Sequence, residues 1–95
     1  MPQALEPLRK RIFEIDEELV GLLRERVRLA LEIGRIKAEL GVPVFDPERE
    51  KEVMLNAIRI PHAPLDSRSL EDLFGRILAI CRDAQAGTAA PPIKE

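Results

Sequence analysis

Tryptophan and tyrosine are absent from this 95-residue chain, phenylalanine occurs three times, and histidine and cysteine occur once each. A single thiol excludes an internal disulfide and suits a reducing compartment, so the expected location is the cytoplasm. One histidine and one cysteine also leave no metal site with familiar ligand spacing. No serine or cysteine nucleophile has a base beside it, and no glycine-rich phosphate loop is present. An enzyme built from this sequence must work without a metal, a cofactor or a covalent intermediate, through positioned charges and hydrogen bonds. His62 lies in the run Pro61-His62-Ala63-Pro64 and reads as a solvated loop residue.

Other absences narrow the class further. No apolar run approaches membrane-spanning length, and Met1-Pro2-Gln3 opens no signal peptide, so no membrane association is expected. Fifteen basic and 17 acidic residues are interspersed, giving a net charge of −2 and no global attraction to nucleic acid. Any anion binding must be local. Runs of β-branched and aromatic residues are missing, while glycine and proline collect at segment boundaries. With 45% hydrophobic and 34% charged residues, the chain fits one soluble helical domain.

What is present is a stripe. Leu8, Ile12, Ile15, Leu19, Leu22, Arg26, Leu29, Ile33, Ile36 and Leu40 follow one another in alternating steps of four and three, a heptad pattern on one helix face. Arg26 breaks the pattern in chemistry but not in spacing. A guanidinium in such a seam cannot lose its water unless an anion satisfies it, whether a carboxylate of the protein or a bound ligand. Lys37 follows eleven residues later, which returns it to within about 20° of the same face. Small Ala30 and Gly34 sit beside the gap between these two cations.

Three helices account for nearly all of the sequence. The first is predicted from about Ala4 to Leu40, with Pro7 tolerated in its first turn; Gly41 stops it and Pro43 prevents resumption. Asp46-Pro47-Glu48 starts the second, which should reach about Ile60. Asp66 or Ser67 caps the third, whose Leu70, Leu73, Phe74, Ile77, Cys81 and Ala84 share one side, and Gly87 ends it. Residues 1–87 are expected to form one domain, and 88–95 a flexible tail. A first helix of about 37 residues is roughly 55 Å long, against a diameter of about 30–35 Å for a compact domain of this size. Much of its seam therefore needs an outside cover, and a second copy of the chain is the simplest one.

Several residues have both a bland and a chemical reading. Arg26 and Lys37 could form buried ion pairs with glutamates of another helix. Arg9 alone is an ordinary surface residue, and about 42 Å of helix separates it from Lys37, so it could join that site only from a partner chain. Asp46, Arg49 and Glu50 crowd the start of the second helix, where capping and solvated charge are the ordinary explanations. Glu50, one turn from Asp46, could also aim at a ligand. Gln85 lies one turn beyond Cys81 on the apolar stripe of the third helix, and could cap a carbonyl or donate into a pocket.

Taken in order, Leu8-Arg9 with Ile15-Asp16, Leu23-Arg24-Glu25-Arg26, Ile33-Gly34-Arg35-Ile36-Lys37, Phe45-Asp46-Pro47-Glu48-Arg49-Glu50, and Leu73-Phe74 through Gln85 resemble the all-helical class of chorismate mutases. The likeness covers about Leu8 to Gln85. It implies an all-α, intertwined homodimer of three-helix chains with two active sites, converting chorismate to prephenate by a Claisen rearrangement in phenylalanine and tyrosine biosynthesis. By that resemblance Arg26, and Arg9 of the other protomer, bind the two substrate carboxylates with support from Arg49. Lys37 and Gln85 donate to the ether oxygen, and Glu50, assisted by the backbone at Asp46, accepts from the ring hydroxyl. Where the family has a serine this chain has Cys81, a weaker donor expected to line the pocket. Two other functions compete. One is an isochorismate-pyruvate lyase on the same scaffold, a family that lacks the acid matched by Glu50. The other is a regulatory domain in complex with an early aromatic-pathway enzyme.

Overall fold

The computed structural model describes residues 2–89. Helix α1 runs Pro2–Leu40, α2 Pro47–Arg59 and α3 Ser67–Ala89, and no strand occurs among the described residues. The all-helical expectation is met. Two boundaries differ from it. Because α1 begins at Pro2, Pro7 falls in its second turn, where the carbonyl of Gln3 loses its usual amide donor. Helix α3 passes through Gly87 and continues to Ala89, so that glycine does not end it. A glycine in a helix costs only about 1 kcal/mol relative to alanine, too little to stop one. Of the expected tail, residues 88 and 89 are helical and 90–95 lie outside the described residues.

The helix ends follow local chemistry. Gly41 adopts φ 70°, and the amides of Gly41 and Val42 donate back to the carbonyls of Ala38 (3.2 Å) and Lys37 (3.0 Å). This is a Schellman closure, which needs the left-handed residue that glycine supplies. Asp46 Oδ1 accepts from the Arg49 amide at 3.1 Å, capping α2 behind Pro47. Asp66 rather than Ser67 caps α3, accepting from the Ser69 amide (2.8 Å) and hydroxyl (3.0 Å). His62 does more than face solvent. Its Nδ1 donates to the Ile60 carbonyl (2.7 Å) and its Nε2 is hydrogen-bonded to the Ser67 hydroxyl (3.0 Å), clamping the connection between α2 and α3.

Helix α3 packs along α1, and α2 packs on α3, its backbone standing farther from α1. On α1 the apolar shielded residues are Leu23, Val27, Ala30 and Gly34, with Ala30 only 4% exposed. That face lies about 90° round the helix from the heptad stripe. Small Ala30 and Gly34 let α3 approach closely there, so the contact forms beside the stripe and not on it. The apolar stripe residues, from Leu8 to Leu40, stay 44–70% exposed. The seam expected to be buried is therefore open in the single chain. On α3, Cys81 is buried, whereas Leu73, expected on the covered side, is 55% exposed. The molecule measures 58 × 35 × 14 Å, and its radius of gyration is 17.2 Å, against about 12 Å for a compact chain of this length.

Candidate active site

Arg26 and Lys37 sit on the border between the face of α1 that α3 covers and the stripe left open. Border positions let a long side chain keep its stem against the neighbouring helix while its head faces a gap. The gap is a cavity of about 500 Å³ between α1, the start of α2 and the end of α3, within the usual size range of small-molecule sites. Leu29, Ala30, Ile33, Val53 and Leu78 supply its apolar wall. Arg26, Lys37, Arg49 and Arg82 face Asp46 and Glu50 around it, an excess of two positive charges.

The two α1 cations are held by neutral groups. Arg26 Nη1 donates to Cys81 Sγ at 3.2 Å, and its guanidinium lies 5.6 Å from the centre of the Phe74 ring. Lys37 Nζ donates to the Val44 carbonyl (2.8 Å) and to Gln85 Oε1 (2.9 Å). Among the described residues no carboxylate lies within ion-pair distance of either. The buried ion-pair alternative is not what the structure contains. The Schellman closure fixes Lys37 further, since its own carbonyl accepts from Val42. Because Lys37 can only donate, it is the oxygen of the Gln85 amide that faces it, and the amide nitrogen is that side chain's donor.

The acidic side is held differently. Glu50 accepts from Arg82 Nη1 through both oxygens, at 2.7 and 2.8 Å. Hydrogen bonding to Glu50, with its charge as a second cause, raises the Arg82 guanidinium above its ordinary range. Arg82 also lies over Phe45, 5.2 Å from the ring centre. Arg49 lines the cavity but is exposed, pairing with Glu52, and its backbone amide satisfies the Asp46 cap.

Of the residues singled out in the sequence, Arg26, Lys37, Asp46, Arg49, Glu50, Cys81 and Gln85 line this one cavity. Arg9 does not. It is exposed, 4.0 Å from Glu6, and about 26 Å along α1 from Arg26. Sequence reasoning missed Arg82, and the Val44 carbonyl that anchors Lys37. Arg82 lies between Cys81 and Gln85, so its helical position placed it near the site, but nothing in the pattern paired it with Glu50.

The family model described as chorismate mutase type II matches residues 8–86. A bifunctional chorismate mutase/prephenate dehydratase of Aquifex aeolicus is 45% identical over 58 residues, covering 61% of this chain and 16% of that protein. The corresponding bifunctional protein of Pseudomonas aeruginosa is 39% identical over 82 residues, covering 81% and 22%. A chorismate mutase of Methanocaldococcus jannaschii is 47% identical over 51 residues, covering 54% and 52%. The chain thus spans from about a sixth to about half of the length of these relatives. Among solved structures, a conserved hypothetical protein from Pyrococcus furiosus superimposes with a TM-score of 0.71 at 35% identity, covering 86% of this chain and 95% of that one. With the family model matching most of the chain, the protein belongs to the type II chorismate mutases.

Proposed function

We propose that the chain is a chorismate mutase that rearranges chorismate to prephenate. The observation that carries this reading is the pair Arg26 and Lys37, facing one cavity with neutral partners only. Such a site favours a small dianion, and its two excess positive charges balance one. The Claisen rearrangement breaks the ether C–O bond as a C–C bond forms within the same molecule. It calls for no nucleophile, and negative charge builds on the ether oxygen. Lys37 and the Gln85 amide nitrogen donate to that oxygen, where their effect is largest in the transition state. Arg26 binds one substrate carboxylate, and its hydrogen bond to Cys81 sets its direction. Cys81 lines the pocket, Glu50 accepts from the ring hydroxyl beside the Asp46 backbone, and Arg49 supports carboxylate binding. Holding the flexible ether in its reactive chair adds the entropic part of the acceleration.

The second carboxylate falls to Arg9 of a partner chain in an intertwined homodimer. Supporting this are the open heptad stripe and the distance of Arg9 from its own cavity. A partner's α1, laid antiparallel along the stripe, covers the apolar residues and brings its Arg9 to the open mouth. Residues 1–87 act as the functional domain, in the cytoplasm. Among the described residues no helix is long and apolar enough to cross a membrane. Several relatives are named for a joined prephenate dehydratase, which favours a secondary reading in which the chain works beside another enzyme of the aromatic pathway.

The test is product identification. The purified chain is expected to turn chorismate into prephenate. Pyruvate from isochorismate, with no prephenate from chorismate, would establish the lyase instead.

A further inference from the structure

Arg82 remains once the other charges of the pocket have been assigned. It lies on α3, with a third of its side chain exposed, and reaches across to α2. Its Nη1 binds both oxygens of Glu50, and its guanidinium covers Phe45, in the loop just before the Asp46 cap. One side chain therefore fastens the first turn of α2 and the loop leading into it.

That placement matters because the backbone of α2 packs on α3 and not on α1. The distance from Glu50 to the cations on α1 is set through α3 and through the α1–α2 connection, which Lys37 holds at the Val44 carbonyl. A carboxylate has about four lone-pair positions, and a donor shared between its two oxygens occupies one edge and leaves others to accept. A loose Glu50 beside Arg26 and Arg49 would also pair with the cations that a dianion needs. An incoming dianion would in turn repel it.

We propose that Arg82 is a positioning residue that aims the Glu50 carboxylate at the ring hydroxyl of the substrate. This inference rests on the mutase reading. Arg82 acts through Glu50 and need not touch the substrate, which separates it from Arg26 and Lys37.

The experiment compares kcat/KM on chorismate and on chorismate methylated at the ring hydroxyl, for wild type, Arg82→Met, Glu50→Gln and the double variant. Circular dichroism and solution mass confirm the fold. Arg82→Met is expected to lose roughly tenfold or more on chorismate and to stay within about threefold on the methyl ether, which has no proton for Glu50 to accept. The double variant should be no worse than Glu50→Gln. Equal losses on both substrates, or additive losses in the double variant, overturn the assignment. If Arg82→Met does not fold, Arg82→Gln is held to the same comparison. A wild type that forms no prephenate defeats the mutase reading, whereas an active wild type with equal losses defeats only the role of Arg82.

Discussion

Replacing Lys37 with methionine removes a charge and three N–H donors while keeping a stem of similar length. Two of those donors are committed, to the Val44 carbonyl at 2.8 Å and to Gln85 Oε1 at 2.9 Å. The third is the one assigned to the ether oxygen. Losing a donor aimed at developing charge costs about 3–4 kcal/mol of barrier, a fall of roughly 10² to 10³ in rate. The structural loss is smaller. Both protein acceptors are only part-buried, so water can replace the ammonium, and two such bonds contribute about 1–3 kcal/mol to stability. Initial rates of prephenate formation, measured beside thermal unfolding, separate the two losses. We expect kcat to fall much further than KM rises, because the donor acts mainly in the transition state. A folded Lys37→Met protein that keeps kcat/KM within about tenfold of wild type refutes the assignment.

Subunit mixing tests the origin of Arg9: co-refolding Arg9→Ala with Lys37→Met in equal amounts should restore about a quarter of wild-type sites, since each mixed dimer has one intact site. No recovery counts against sharing. Gln85→Glu should lose about tenfold or more at neutral pH, where an ionised carboxylate beside Lys37 cannot donate. Its activity should then rise as pH falls toward the ordinary glutamate value near 4.3, while wild type stays flat from mildly acid to neutral pH; absence of that acid-side gain contradicts the donor role. Asp66 is held below the usual aspartate range, chiefly by the Ser69 amide and then by its hydroxyl. Its folded value is the lower one, so its stabilisation is complete above about pH 4 and is lost as pH falls through the folded value. The gap in melting temperature between wild type and Asp66→Ala should therefore be present at pH 7 and shrink as the pH falls below the ordinary aspartate value, and a constant gap argues against the charged cap.

The parts of the fold written in local chemistry were legible in the sequence. Asp46-Pro47 and Gly41 mark helix ends because caps and left-handed turns depend on single residue types. Arg26 and Lys37 were legible as a pair because eleven residues bring a helix back to nearly the same face. Which face α3 would cover was not, since the small residues at Ala30 and Gly34 compete with the larger apolar stripe beside them. Gly87 was misread as a stop because a glycine signals a helix end only when the backbone needs a left-handed turn there. The bond from Arg82 to Glu50 spans 32 residues between two helices, and no periodic signal encodes such a partner. Val44 contributes only its carbonyl, which every residue type carries.

A body 14 Å thin, in which no large described side chain is fully enclosed, has almost no interior to sustain it. If a second copy supplies what is missing, acquiring structure and finding that copy become one event governed by mass action. Melting temperature should then climb with protein concentration, and extreme dilution should abolish activity and helical signal together.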